Sequence, residues 1–262
     1  DDKTREYGLG NPALSFTVTG FVDGDTAASV LTGAPGLSTT ATAASNVGSY
    51  AIAAAPASLA SALGYSFSFV NGTLSVTPAP LGVAANSASR EYGLANPASS
   101  GSFTGFRNAD TAAVVSGLSF SSVATPASNV GAYAITAAGG SGTNYVITSR
   151  TDGTLTVPPA PLAVVADNAS REYGLANPVL TAGFTGLRNG DSAGVVSGLS
   201  VTSAATTGSN VGAYAITTNG GSAANYVITG RTDGTLSVTP APLSITANDQ
   251  AREYGLANPV LT

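Results

Sequence analysis

The chain of 262 residues contains no Cys, His, Met or Trp. Without Cys there is no thiol nucleophile and no disulfide, and without Cys and His together there is no imidazole base, no zinc site of the usual kind and no ordinary haem ligation. Charge is also scarce: 9% of the residues are charged, and the 14 acids and nine bases form no run of one sign. A net charge of −5 and a pI of about 4.4 argue against nucleic acid or an anionic membrane as partner. No apolar run reaches the roughly 20 residues of a membrane-spanning helix, so no membrane insertion is expected. No basic-then-apolar start reads as a signal peptide, and with no initiator Met, Asp1 reads as an internal or processed start.

What fills the chain is a repeat. Arg5-Glu6-Tyr7-Gly8 returns at Arg90, Arg171 and Arg252, at intervals of 85, 81 and 81 residues. Each copy carries Asn-Pro soon after (Asn11, Asn96, Asn177, Asn258), and the three full copies carry an Asp thirteen residues beyond the Pro (Asp25, Asp110, Asp191). Asn-Val-Gly-x-Tyr follows (ending at Tyr50, Tyr133 and Tyr214), then a second Tyr (Tyr65, Tyr145, Tyr226) and Gly-Thr-Leu-x-Val (from Gly72, Gly153 and Gly234). A period near 81 exceeds the 20–50 residues of a solenoid unit and is long enough for a small domain with its own core. The expected boundaries are 1–78 for a first domain lacking its first strand, 79–159 and 160–240 for two complete ones, and 241–262 for the start of a fourth.

Alternation of apolar and polar residues marks most of each unit as strand: Tyr65 to Val70, Thr73 to Thr77, Leu118 to Ser122 and Ala132 to Thr136. Val70-Asn71-Gly72-Thr73 suits a two-residue hairpin turn, and Thr151-Asp152-Gly153 and Thr232-Asp233-Gly234 suit three-residue hairpin loops. Residues 25–31 and 110–116 suit one or two turns of helix with Asp25 or Asp110 as N-cap. The class is therefore all-β, a tandem array of roughly 81-residue domains, Ig-like sandwich or β-grasp-like, with at most one short helix each. Between domains lie Pro78-Ala79-Pro80, Pro159-Ala160-Pro161 and Pro240-Ala241-Pro242. Pro-x-Pro between strands is stiff and extended, which predicts a rod of about 35–45 Å per domain.

The run Arg-Glu-Tyr-Gly-Leu-Ala-Asn-Pro, followed by Gly-Phe-x-x-x-Asp-Thr-Ala, Asn-Val-Gly-x-Tyr, Asn-Tyr and Gly-Thr-Leu-x-Val-Thr-Pro-Ala-Pro-Leu, resembles the MBG domain family of the YGX type over essentially the whole chain. The resemblance implies long arrays in bacterial surface and secreted proteins, including adhesins of the filamentous-haemagglutinin kind. It also implies an extracellular location and a spacer or adhesive fibre without enzymatic activity. It supplies no catalytic or ligand residues to carry over. The first copy departs at Leu9-Gly10, and at Leu63-Gly64-Tyr65 where the others have Asn144-Tyr145 and Asn225-Tyr226.

The candidate residues are read chiefly as structural. Asp25, Asp110 and Asp191 recur once per repeat, whereas a two-carboxylate hydrolase needs a pair about 5–10 Å apart. They are read as caps or turns, with no catalytic, cofactor-binding or metal residue assigned and any ligand-binding residue unknown. Asp167-Asn168 with Glu172, and Asn248-Asp249 with Glu253, offer oxygens for calcium, but the preceding junction has Ala85-Asn86 and no Asp. Arg90, Arg171 and Arg252 share a strand face with the following Tyr and are read as exposed ion-pair partners. Arg107 and Arg188, replaced by Val22 in the first copy, read as surface. Tyr50, Tyr133 and Tyr214 are read as core, and Asn71 and Asn168 head glycosylation triplets.

The function expected is a non-enzymatic structural array, a rigid stalk or fibre whose partners are its own neighbouring repeats. Two alternatives stand beside it: loops that bind a host glycan or protein, and a subunit that polymerises with other copies in a filament. The second arises because Leu243-Ser-Ile-Thr-Ala-Asn248 is a strand without a domain and the first domain lacks the equivalent strand. The plainer account of those ends is a window cut from a longer array.

Overall fold

The computed structural model describes residues 1–261, and nearly all of its regular structure is β. Repeat 1 holds β1 (Lys3–Glu6), the one-turn helix α1 (Ala27–Val30), β2 (Leu31–Thr32), β3 (Gly36–Ser38), β4 (Gly48–Ala55), β5 (Ala60–Ser61) and β6 (Gly72–Thr77). Repeat 2 holds β7 (Ala79–Ala85), β8 (Ala88–Ser89), β9 (Gly101–Thr104), β10 (Ser116–Ser121), β11 (Gly131–Ser141), β12 (Tyr145–Thr151) and β13 (Gly153–Val157). Repeat 3 holds β14 (Ala160–Ala166), β15 (Ala169–Glu172), β16 (Ala182–Thr185), β17 (Ser197–Ser203), β18 (Gly212–Ser222), β19 (Tyr226–Thr232) and β20 (Gly234–Thr239). The chain forms two compact units. Unit 1 is Asp1–Arg90, Ala95–Thr125 and Gly131–Val157, and unit 2 is Glu91–Leu94, Pro126–Val130 and Pro158–Thr262.

In unit 1 the strands of repeat 2 make two sheets, in the orders β10-β11-β13-β8 and β12-β7-β9. The first strand of the repeat changes sheets: β7 lies between β9 and β12, and three residues later β8 joins β13. β7 runs antiparallel to β9 and parallel to β12. Its alternate residues Ala79, Leu81, Val83 and Ala85 are buried, as period-2 geometry requires of an inward face. Pro80 is tolerated in this central strand because pairing with β9 starts only at Gly82. The two sheets are thus joined through the first strand of the repeat, whose β8 part runs parallel to the last strand, β13.

Repeat 1 has the corresponding sheet β1-β6-β4-β3, around Ala41, Ile52 and Leu74. Its second sheet is reduced to the short pair β2-β5. Residues 16–19 and 65–71, which stand where β9 and β12 stand in repeat 2, form no strand. Within unit 2, repeat 3 reproduces both sheets as β15-β20-β18-β17 and β16-β14-β19, over a core of Ala166, Ala205, Ile216 and Leu236. Residues 240–261 carry no strand.

Three local expectations change. The alternating run at Tyr65 to Val70 is not a strand, because no described residue offers it an edge to pair with. The turns at Asp152 and Asp233 do not close hairpins: β12 and β13 lie in different sheets, as do β19 and β20. The chain crosses between layers there, so Gly153 sits against the carbonyls of Ala85 and Asn86, where a Cβ would come within 2.7 Å of each. The helical turns exist as α1 and as 3-10 turns at Ala112–Val114 and Ala193–Val195, but the N-caps are Thr26, Thr111 and Ser192. Each Asp precedes its cap by one residue and faces a tyrosine instead, as described next.

Candidate functional site

The residues that recur most regularly converge where one repeat meets the next. In unit 1, Asp110 Oδ2 accepts hydrogen bonds from Tyr145 Oη at 2.7 Å and from Tyr7 Oη at 3.0 Å. Tyr145 belongs to the same repeat as Asp110, and Tyr7 belongs to repeat 1. The two rings meet edge to face at 5.6 Å, and Phe106 meets Tyr145 in the same way at 5.5 Å. Beneath them Tyr7 and Val76 of repeat 1 share one buried cluster with Ala79, Leu81 and Tyr145 of repeat 2. The apolar core is continuous across the repeat boundary.

A polar ring surrounds that core. Arg107 Nη2 lies 2.6 Å from Glu6 Oε2, and its Nη1 donates to the Tyr7 carbonyl at 3.0 Å. Asn144 Nδ2 donates to Asn46 Oδ1 at 2.8 Å, and Asn144 Oδ1 accepts from the Val47 N–H at 2.9 Å. Asn108, held at φ 52°, donates to the Ala43 carbonyl. Gly8 explains the last letter of Arg-Glu-Tyr-Gly: its φ is +80°, and a Cβ there would fall 2.5 Å from Arg107 Cβ. No other residue fits both the backbone and the approach of the arginine stem.

Unit 2 contains the same constellation. Asp191 accepts from Tyr226 at 2.7 Å and Tyr92 at 3.0 Å, Arg188 pairs with Glu91 at 2.6 Å, and Asn225 donates to Asn129 at 2.9 Å. Segments Glu91–Leu94 and Pro126–Val130 belong to unit 2 for this reason: they carry the residues that Arg188, Asp191 and Asn225 hold. Burial foremost, with the Asp110 carboxylate adding to it, raises the Tyr145 pKa above its ordinary value, although the Arg107 N–H favours the phenolate. Burial and then Asp191 raise that of Tyr226. Neutral phenols facing an acid are suited to donating hydrogen bonds, not to acid–base catalysis near neutrality.

The signature arginines take a different place from the one expected. Arg5, Arg90 and Arg171 are buried, not exposed. Arg5 Nε donates to Asn11 Oδ1 at 2.8 Å, and its Nη2 donates to the Thr42 carbonyl. Asn11 in turn donates to the Ala41 carbonyl at 2.7 Å, with the same links at Asn96 and Asn177. This clamp ties Arg to the Asn-Pro six residues on and holds Glu6 and Tyr7 out toward the next repeat. Arg107 and Arg188, read from sequence as plain surface, are the true interdomain ion-pair partners. Tyr50, Tyr133 and Tyr214 are half-buried, Tyr50 and Tyr214 packing against the core, and the deepest position of their strands is Ile52, Ile135 and Ile216 two residues later.

The oxygens considered for calcium serve the first turn of each repeat. Asp167 Oδ2 accepts from Thr181 Oγ1 at 2.7 Å and Asn168 Oδ1 from the Thr235 N–H at 2.7 Å. Among the described residues no three acids gather at one point.

The model of the MBG domain (YGX type) family matches residues 1–75, 81–156 and 162–237. The chain belongs to the MBG domain family. It is a tandem array of three such domains, and the family is not a known enzyme family. No curated protein matches the chain. Each matched domain carries a Tyr-Gly pair, Tyr7-Gly8, Tyr92-Gly93 and Tyr173-Gly174, and in the first two the tyrosine is a joint residue.

Proposed function

We propose that this MBG array is a non-enzymatic structural element, a stiff spacer in an extracellular protein of a bacterial surface. The carrying observation is that signature residues of repeats 1 and 2 each hold the repeat that follows. Tyr7, Glu6 and Asn46 face Asp110, Arg107 and Asn144, and the same set recurs around Asp191. A joint with a shared apolar core, a two-hydroxyl acid and an ion pair resists bending better than a linker of the same length. Cysteine-free, lysine-poor composition suits export and an extracellular life. The acids that a hydrolase would need already accept tyrosine hydroxyls, which supports a structural reading over an active site.

The test is the distribution of end-to-end distances in the 262-residue chain, measured with probes placed in repeats 1 and 3. A narrow distribution that broadens in Asp110→Ala/Asp191→Ala is expected. An equally broad one in both proteins would remove the spacer reading. A host glycan or protein ligand is the rival, and saturable binding that is lost on exchange of loop residues between repeats would favour it.

A further inference from the structure

Each joint brings two phenols to one carboxylate. Tyr7 and Tyr145 donate to the same oxygen of Asp110, and Tyr92 and Tyr226 donate to the same oxygen of Asp191. The ring centroids lie 5.6 and 5.4 Å apart, with the planes at 78° in both pairs. All four tyrosines are buried, so the tyrosines of other molecules are kept away while each ring has its mate beside it. In both pairs the two rings come from successive repeats.

The composition of the chain directs oxidation toward these phenols. The side chains that usually lose electrons before tyrosine, namely Cys, Met and Trp, are absent, which leaves tyrosine as the most easily oxidised side chain present. A phenol that loses an electron becomes a strong acid and has to release its proton, and a hydrogen-bonded carboxylate is a base able to take it. Asp110 and Asp191 stand in that position. Tyr50 and Tyr214 are placed differently: their hydroxyls donate to the carbonyls of Asn46 and Asn210, which hold a proton far less well than a carboxylate.

We propose that the joints are sites of oxidative tyrosine coupling, at which a one-electron oxidant, such as a haem peroxidase with hydrogen peroxide, links Tyr7 to Tyr145 and Tyr92 to Tyr226. In each pair one electron leaves each ring for the oxidant, and the two phenolic protons pass through the aspartate to solvent. One peroxide is reduced to water. A carbon–carbon bond forms between the ring positions beside the two hydroxyls, and the hydrogens of those carbons move to the oxygens as the rings regain aromaticity. The rings have to close and tilt from 78° toward a common plane, turning about an acid that already holds both hydroxyls. The product is a covalent staple between successive repeats in a chain that has no cysteine. Like a disulfide across a long loop, it restricts the unfolded chain. The inference rests on the geometry of the joints alone, and an uncoupled array is a spacer all the same.

The test treats the 262-residue chain, dilute and at neutral pH, with a haem peroxidase and hydrogen peroxide. Chains that still run as monomers on a denaturing gel are then digested and analysed by mass spectrometry. Fragments joining Tyr7 to Tyr145 and Tyr92 to Tyr226, each lacking the two hydrogens lost on coupling, are expected together with dityrosine fluorescence. Tyr7→Phe should abolish the first link and leave the second, and the surviving link reports that the rest of the chain is folded. Asp110→Asn keeps an oxygen for the hydroxyls but removes the base, and it should slow the first link at least about tenfold relative to the second. Coupling confined to links between chains, coupling at Tyr50 or Tyr214 as fast as at the joints, or oxidation without any tyrosine link overturns the proposal. So does a first link that forms at the same rate in Asp110→Asn.

Discussion

Repeats 1 and 2 share a signature and differ by a strand. In repeat 2, β7 gives residues 101–104 and 145–151 an edge to pair with, and both become strands. In repeat 1 the matching residues 16–19 and 65–71 stay irregular although their alternation is just as regular. The strand arrives across a Pro-x-Pro bridge from the preceding repeat, bringing Leu81 into the cluster that also holds Tyr7. An MBG repeat of this chain is therefore completed and docked by the same segment. Where Leu81 has no counterpart, Arg107 and Asn144 have none either, since Val22 and Gly64 replace them.

The largest effect expected from breaking this comparison is at the leucine. Leu81→Ala removes a fully buried side chain and should cost about 2–5 kcal/mol, unfolding repeat 2 at lower denaturant. Leu243→Ala, the same change at the same repeat position, should fall within roughly 0.5 kcal/mol in dilute protein. Hydrogen exchange resolved by repeat checks both, and equal losses would refute the assignment of Leu81 as the core of the joint. Next comes the acid. Asp110→Ala takes the shared acceptor from two tyrosine hydroxyls, leaving Tyr145 only the Arg107 carbonyl at 3.2 Å and costing roughly 1–3 kcal/mol for the Tyr7 hydroxyl. Asp25→Ala takes the acceptor from one, in an open site, and should cost less.

Alkali gives a smaller, graded loss. Tyr145 and Tyr226 have folded-state pKa values raised above the ordinary tyrosine value by burial first and by their aspartates. A phenol that holds its proton more tightly when folded contributes stability that is complete below about pH 10 and disappears as pH rises through the folded value. The joints should loosen above pH 10, and Tyr145→Phe should remove that step from the pH profile of repeat 2 unfolding.

The repeat, its period and its β character were legible because a fold repeated in one chain prints its own alignment. The strand pairings were less so. Alternation marks a half-buried strand but names no partner, so Tyr65 to Val70 looked like Tyr145 to Thr151 although only the latter has β7 beside it. The hairpin reading of Asp152 failed because a Gly-containing turn serves equally to cross between sheets. Of the joint, sequence showed every member and none of the contacts, since partners such as Tyr7 and Asp110 lie 103 residues apart. One signal was available: the first copy loses Arg107 and Asn144 at once, and paired losses at distant positions are what a shared interface produces.

The ion pair should matter least. Glu6 and Arg107 lie 2.6 Å apart, yet their side chains are 43% and 24% exposed, so water and salt screen their attraction. A double-mutant cycle with Glu6→Gln and Arg107→Met should return a coupling of about 0.2–1 kcal/mol that shrinks as salt is added. Arg107→Met alone should cost more than the coupling, because the guanidinium also donates to the Tyr7 carbonyl. Coupling of several kcal/mol that ignores salt would instead make the charge pair the organiser of the joint and reduce the Asp110 tyrosines to filling. Equal costs for Arg107→Met and Glu6→Gln would show that the guanidinium contributes nothing beyond its charge, against its hydrogen bond to the Tyr7 carbonyl.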